Sequence, residues 1–119
     1  MRLQDEMFVI EQSHDNVFML KLNAQHLIYQ AHFPGNPITP GVCLVQIITE
    51  LLQIRLHSQL ALRQVVNLKF VAPVSPTTYP AIDVHFSQVV DSIDEVKAKG
   101  TIQAGDTILT KFSLIFNKK

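Results

Sequence analysis

Residues 40–57 have the sequence PGVCLVQIITELLQIRLH, and this stretch predicts one long helix near the centre of the fold. Pro40 suits the first helical position, where its missing N–H has no partner to lose, and Thr39 suits the N-cap. The large apolar residues of the stretch are Val42, Leu44, Val45, Ile47, Ile48, Leu51, Leu52, Ile54 and Leu56. A helix that is apolar on nearly every side is normally buried, so the rest of the chain must cover it.

The polar side chains of this helix are confined to one side. Gln46, Glu50, Gln53 and His57 follow one another at steps of four, three and four residues. Because residues three or four apart lie on the same helix face, these side chains form one narrow polar stripe.

Strands are predicted on both sides of the helix. Two precede it, at residues 7–13 and 17–22, with a turn at residues 14–16. Residues 24–39, with two prolines and a glycine, are a predicted loop. Four strands follow the helix, at residues 65–71, 81–90, 96–103 and 107–116, with a turn at residues 104–106. Short connections favour antiparallel pairing, so the predicted fold class is α+β, with residues 1–119 forming one domain around the helix.

The composition argues against several classes of function. Lys and Arg total 10, as do Asp and Glu, so the chain has no formal net charge at pH 7. Nucleic-acid binding normally needs a clear basic excess and is therefore not expected. No apolar run reaches the ~18 residues of a membrane-spanning helix, and the polar residues 1–6 are unlike a signal peptide. The single cysteine, Cys43, cannot form an internal disulfide, which predicts a cytoplasmic protein.

The apolar fraction of the chain, 47%, is high for a protein of 119 residues. Apolar surface in excess of what the core needs is typical of an oligomer interface or of a channel for a lipid chain. Both are therefore expected as uses of this surface.

The loop before the helix holds the residues best suited to catalysis. Residues 31–42, AHFPGNPITPGV, bring His32 to the N-terminal end of the helix. Histidine transfers protons near neutral pH. The first helical amides, at Gly41 and Val42, can donate hydrogen bonds to a carbonyl oxygen that gains negative charge. Together these groups suit chemistry at the carbon next to a thioester carbonyl.

The same residues also have purely structural interpretations. A lone histidine in a loop often serves packing or simply lies at the surface, and prolines and glycines before a helix shape the chain. Thr39, as an N-cap, would occupy the same helical amides. The residues by themselves leave both interpretations open.

Residues 32–42, HFPGNPITPGV, resemble the H-F-P-G-x-P-x-x-P-G-V motif of the 3-hydroxyacyl-acyl-carrier-protein dehydratases. Residues 67–74, NLKFVAPV, are similar to the strand that follows the helix in that family. The resemblance implies a hot-dog fold and a homodimer or larger assembly, with sheets joined edge to edge and active sites at the interface. It further implies an acyl thioester substrate on the phosphopantetheine of an acyl carrier protein, and no metal or redox cofactor.

The resemblance assigns roles to residues of the motif. His32 matches the family histidine that moves a proton between C2 and the leaving hydroxyl, and Gly41 matches the glycine whose amide holds the thioester carbonyl. Val42 matches the residue whose backbone orients the histidine. Val42, Phe33 and Pro40 are also expected to bind substrate.

The helix departs from the family pattern at its acidic residue. The family has Glu or Asp fourteen positions after the histidine, supplied by the other subunit, and this chain has Gln46 there. Glu50 stands four positions later, where the family often has Gln. An amide can hydrogen-bond a hydroxyl but cannot act as a base. Glu50, about 6 Å further along the helix axis, is either the substitute acid or a residue paired with a polar neighbour.

The predicted function is dehydration of 3-hydroxyacyl thioesters, carried by acyl carrier protein, to trans-2-enoyl thioesters in fatty-acid or related acyl-chain synthesis. The predicted catalytic residues are His32, Gln46 and Glu50. Two alternatives stay open. One is a hot-dog acyl thioesterase in which Glu50 activates water, and the other is a non-catalytic acyl-binding subunit of a hetero-oligomeric dehydratase whose partner supplies the acid.

Overall fold

The computed structural model describes residues 1–119, which form six strands and two helices. In chain order the elements are β1 (Phe8–His14), β2 (Val17–Leu22), α1 (Ile28–Ala31), α2 (Gly41–Leu56), β3 (Leu60–Phe70), β4 (Ala81–Asp91), β5 (Glu95–Ala104) and β6 (Thr107–Lys118). No helix of the chain is long and apolar enough to cross a membrane.

The six strands form one antiparallel sheet in the order β1-β2-β4-β5-β6-β3. Strands β4, β5 and β6 make the predicted meander, while β1 and β3 lie at the two edges. The predicted turns are confirmed at Asp15 and Gly105, whose φ angles of 53° and 56° allow the chain to reverse tightly. The expected α+β architecture, an antiparallel sheet around one long helix, is therefore confirmed.

Burial of α2 follows from its composition. Its side chains Leu44, Ile47, Ile48, Leu51 and Leu52 are at most 1% exposed and belong to the core that α2 shares with the sheet. Strands β4 and β5 turn alternate residues toward this core and the others outward, as the period of two in a strand requires. The polar stripe of α2 contacts the N-terminal segment, where Glu50 is buried.

Gly100 makes room for the aromatic centre of the core. Phe86 and Phe112 are its register partners on the neighbouring strands, and their rings meet edge to face with centroids 5.8 Å apart. Phe18 adds a further edge-to-face contact with Phe86 at 6.0 Å. Such aromatic pairs add stability beyond their buried area, and a side chain at position 100 would meet the Phe112 ring and the His85 backbone.

The start of α2 differs from the prediction by one residue. Pro40 is the N-cap, with an extended backbone at ψ 147°, and Gly41 is the first helical residue. The predicted cap by Thr39 is wrong, because its buried hydroxyl is hydrogen-bonded to the Tyr29 hydroxyl at 2.9 Å. The first amides of the helix are consequently left without a side-chain acceptor.

Two other elements depart from expectation. Strand β3 begins at Leu60 rather than at residue 65, because shifts of register between Leu62 and Gln64 and between Val65 and Asn67 break the alternation that marks a strand. The predicted loop contains α1, a single helical turn that is too short to show helical periodicity.

Thr110 carries a buried hydroxyl that has no hydrogen-bond partner, although the residue is 0% exposed. Replacing Thr110 by valine keeps the shape and removes the unpaired group, so we expect the free energy of unfolding to rise by about 1 kcal/mol. Thermal unfolding followed by circular dichroism should then show a midpoint roughly 3–5 °C higher. Thr101→Val is the control, because its hydroxyl is hydrogen-bonded to Gln103 at 2.8 Å. A lower midpoint for Thr110→Val would show that this hydroxyl has a favourable partner.

Candidate active site

His32 is held just after α1 by hydrogen bonds of its own backbone. Its N–H donates to the Ile28 carbonyl at 3.0 Å, and its carbonyl accepts from the Ile38 N–H at 2.8 Å. Reciprocal backbone hydrogen bonds between Phe33 and Asn36, at 3.0 and 2.8 Å, close the turn that follows. The loop therefore has a defined conformation that fixes the position of His32.

Buried contacts tie this loop to the rest of the chain. The Thr39 N–H donates to the Val74 carbonyl at 2.8 Å, and the Thr39 side chain meets the Tyr29 hydroxyl. Burial raises the pKa of the Tyr29 phenol above its ordinary value, so the hydroxyl stays neutral at physiological pH. A neutral hydroxyl can keep this hydrogen bond, which helps to hold the loop against the segment after β3.

A largely apolar cavity of about 360 Å³ opens beside His32 and the start of α2. Its lining comes from the loop before α2, from Leu44 on α2 and from residues 70–74, which end β3 and follow it. This volume lies within the range usual for sites that bind small molecules. An acyl chain or a pantetheine arm would find mainly apolar contacts here.

The structure brings most of the predicted substrate-contacting residues together. His32, Phe33, Pro40 and Gly41 all line this cavity. Val42 does not, and its side chain is 69% exposed on the outer side of α2. Its substrate-binding role, which would use the backbone, stays a prediction.

One free amide of α2, that of Gly41, belongs to a residue that lines the same cavity. The amides of Cys43 and Leu44 donate to the Pro40 carbonyl at 3.0 and 3.1 Å, whereas those of Gly41 and Val42 have no acceptor in the chain. Unpaired N–H groups at a helix N-terminus attract negative charge. Gly41 therefore offers a donor to an oxygen that gains charge, within the cavity that contains His32.

The imidazole of His32 is partly buried and packs against the Phe33 ring, with centroids 5.3 Å apart. Neither ring nitrogen is hydrogen-bonded within the chain, so both are available to a ligand. The predicted orientation of His32 by the backbone of Val42 is thus not formed in the single chain and stays a prediction.

Gln46 and Glu50 lie outside this cavity and contact the N-terminal segment of their own chain. The Glu50 carboxylate accepts hydrogen bonds from the N–H groups of Leu3 and Gln4 and from Gln46 Nε2, each at 2.8 Å. Gln46 Nε2 also donates to the Met1 carbonyl at 2.8 Å. Their predicted role at the active site of a partner subunit stays a prediction. Within its own chain, Glu50 is hydrogen-bonded to polar neighbours, which is the arrangement that the alternative interpretation of this residue describes.

The predicted polar stripe is confirmed as one face of α2. Gln46, Glu50, Gln53 and His57 line a second, polar cavity of about 420 Å³ together with the N-terminal segment. Gln53 uses its side-chain oxygen to accept from the Leu60 N–H at 2.9 Å, which fixes the entry into β3. The stripe therefore has a structural role, which the spacing of its residues in the sequence did not indicate.

Glu50 should matter for stability as the acceptor of the N-terminal amides. In Glu50→Ala the N–H groups of Leu3 and Gln4 lose their acceptor, and we expect the free energy of unfolding to fall by about 2 kcal/mol. Urea denaturation measures the loss, and faster hydrogen exchange at these two amides locates it. Glu50→Gln, which keeps one acceptor oxygen, is the matched control with a smaller loss. Unchanged exchange at both amides in Glu50→Ala would contradict the assignment.

The cavity has neither a reactive thiol nor a cluster of metal-ligating side chains beside it. Burial raises the pKa of the Cys43 thiol, which disfavours the nucleophilic thiolate. The chain contains no group of three His, Cys, Asp or Glu side chains placed to hold a metal ion. The groups that offer proton transfer and charge stabilisation at the cavity are thus His32 and the free amide of Gly41.

Two features of the site are absent from the predictions. Phe70 lines the cavity beside Gly41. The sequence could have indicated this residue, because Phe70 lies within residues 67–74, the segment similar to the dehydratase strand. The N-terminal residues Met1, Leu3 and Gln4 contact the polar stripe of α2, and no pattern in the sequence indicates this contact.

Comparison with known proteins identifies the family and the fold of the chain. Residues 9–101 match the ApeI-like family, described as ApeI dehydratase. A 3-hydroxyacyl-[acyl-carrier-protein] dehydratase FabZ from a Thermoanaerobacter species is 28% identical over 123 aligned positions, which cover 96% of this chain and 84% of that relative. A FabZ from a Caulobacter species is also 28% identical, over 67% of this chain and 53% of the relative.

Solved structures extend the similarity of fold. The dehydratase heterocomplex ApeI:P from Xenorhabdus doucetiae matches with a TM-score of 0.61 and 16% identity, over 92% of this chain and 94% of that chain. A hypothetical thioesterase from Streptococcus pneumoniae with coenzyme A matches with a TM-score of 0.63 and 11% identity, over 94% and 85% of the two chains.

The sheet, the central helix and these structural neighbours define a protein of the hot-dog fold. Within that class the chain belongs to the ApeI-like dehydratase family. The predicted relationship to the 3-hydroxyacyl-acyl-carrier-protein dehydratases is confirmed.

Proposed function

We propose that this protein dehydrates 3-hydroxyacyl thioesters to trans-2-enoyl thioesters, with the acyl group carried on the phosphopantetheine of an acyl carrier protein. The observation that carries the proposal is the shared cavity of His32 and the free Gly41 amide. A base and an oxyanion donor at one apolar site are what proton removal next to a thioester carbonyl requires.

The reaction needs one proton to be moved from C2 of the substrate to the hydroxyl that leaves C3. The His32 imidazole takes the proton from C2 while the Gly41 N–H donates to the thioester oxygen, which gains negative charge. The electron pair then forms the C2=C3 double bond and the C3–O bond breaks. The imidazolium returns its proton to the departing hydroxide, so the products are the enoyl thioester and water.

The proposed assembly is a homodimer or larger hot-dog oligomer with its interface along β3. This strand is a sheet edge, and it exposes apolar side chains at Leu62, Val65 and Val66. Unpaired edges with exposed apolar residues favour pairing with another chain. In this assembly α2 of a second subunit would bring Gln46, and Glu50 behind it, to the substrate hydroxyl.

A heteromeric assembly is the second candidate, and the position of Glu50 favours it. Its carboxylate accepts hydrogen bonds from three donors of its own chain and does not line the cavity of His32. A different hot-dog subunit would then supply the acid that Gln46 lacks. The similarity to one chain of the Xenorhabdus dehydratase heterocomplex is consistent with this arrangement.

One experiment separates these candidates from each other and from a thioesterase. The purified chain is mixed with a 3-hydroxyacyl thioester on a carrier protein or on pantetheine, and enoyl formation and free thiol are followed together. Enoyl formation by the chain alone supports the proposed dehydratase. Release of thiol without enoyl product indicates a thioesterase. Binding without turnover contradicts independent dehydratase activity and favours the heteromeric subunit.

A further inference from the structure

Phe70 stands between the end of β3 and the start of α2. Its side chain is 54% exposed, yet its ring contacts Gly41 so closely that a Cβ built on Gly41 would lie 2.7 Å from Cζ of the ring. The φ angle of Gly41 is not in the left-handed region, so its backbone conformation does not require glycine. A side chain at position 41 would therefore require the Phe70 ring to move.

We infer that Phe70 is a specificity-determining residue, whose ring restricts the space next to the Gly41 amide and excludes acyl thioesters that are branched at C2. The inference rests on the proposed function, because it places the thioester carbonyl at the Gly41 N–H.

The geometry of a thioester makes C2 the position that the ring affects. C2 is bonded directly to the carbonyl carbon, so a carbonyl oxygen at the Gly41 N–H holds C2 close to Gly41. A methyl group on C2 must occupy space that His32 and the Phe70 ring already border. In a hydrophobic pocket, one added methyl group changes recognition by roughly 10- to 200-fold.

The side chain of Phe70 can be replaced without loss of the fold. Phe70 is the last residue of β3, and half of its side chain already faces solvent. Phe70→Leu shortens the side chain and Phe70→Ala removes the ring, and both keep the strand that ends there. Val90→Ala is the matched control, because Val90 is also a partly exposed apolar strand residue but lies on β4, outside the cavity and away from the β3 edge.

The test compares two pairs of ligands across these variants. For turnover, the pair is an unbranched 3-hydroxyacyl pantetheine and its 2-methyl analogue. For binding, the pair is the corresponding acyl pantetheine amides, which keep the carbonyl and cannot be hydrolysed. We expect the native chain to prefer the unbranched amide by about tenfold or more. The ratio should fall toward one in Phe70→Leu and Phe70→Ala and persist in Val90→Ala.

The two readouts separate this inference from the proposed function. Equal affinities in the native chain, or the same preference in Phe70→Ala, would overturn the role of the ring whether or not turnover occurs. Absence of turnover with a preference that depends on Phe70 would overturn the proposed reaction and support the role of the ring in ligand selection.

A double variant tests the contact between the ring and the glycine directly. Gly41→Ala should weaken binding of the unbranched amide by about tenfold, because its methyl group displaces the Phe70 ring. Adding Phe70→Leu should recover most of that loss, since residues in contact have non-additive effects. A double variant that binds no better than Gly41→Ala would show that the ring is not what requires glycine at position 41.

Discussion

Replacing His32 by alanine is expected to lower kcat for enoyl formation by roughly 100- to 10,000-fold, the usual contribution of a positioned general acid–base group. In the proposed reaction His32 is the group that removes the C2 proton and returns it to the leaving hydroxide. The cavity offers no other imidazole, carboxylate or thiol to replace it.

The variant should leave the fold intact. Both hydrogen bonds of His32 within the chain are made by its backbone, and its imidazole has none to lose. Turnover is measured with saturating substrate, and unfolding by urea is followed in parallel. His14→Ala is the matched control, because that side chain is 86% exposed at the hairpin turn and should leave kcat unchanged. Near-native turnover by His32→Ala with an unchanged urea midpoint would exclude His32 as the proton carrier.

Replacing Gly100 by alanine is expected to cause the largest loss of stability among the variants considered. A Cβ at this position would overlap the carbonyl oxygen of His85 and come within 2.7 Å of Cζ of Phe112. The first neighbour is backbone in the adjacent strand, so it cannot move without shifting the sheet. Overpacking of this kind costs about 3 kcal/mol, and more where the backbone must yield.

Urea denaturation should show the effect as a fall of roughly 1–3 M in the midpoint for a small protein. Gly105→Ala is the matched control, because no atom would lie within 4 Å of its Cβ but its φ is 56°. Its cost is conformational and should be about 1 kcal/mol. If the two variants lost equal stability, the close approach of the His85 backbone and the Phe112 ring would not be the reason for glycine at position 100.

Periodicity along the chain predicted the elements of the fold well. The apolar stretch from residue 40 to residue 57 indicated α2, and alternation indicated the strands of the meander. Both signals are local, because they arise from how each residue presents its side chain to one continuous core. Where alternation is interrupted, as at the irregular register of β3 with β6, the predicted boundary was wrong.

The motif of residues 32–42 predicted part of the site for a similar reason. His32 and Gly41 are separated by a short loop that ends at the helix, so few conformations can hold them far apart, and the structure places both at one cavity. The cap of α2 was mispredicted because Thr39 has a competing partner, Tyr29, on α1. A choice between two hydrogen bonds depends on which partner the tertiary structure brings within reach.

The sequence by itself determined the α+β class, the central helix, the polar stripe and the histidine that begins the motif. Only the tertiary structure decided that Glu50 meets Leu3, 47 residues away in the chain, and that the Phe70 ring occupies the space beside Gly41. Local patterns record which face of an element is buried. They do not record which distant residue arrives opposite it, because that depends on strand order, on register and on the bulges that shift it.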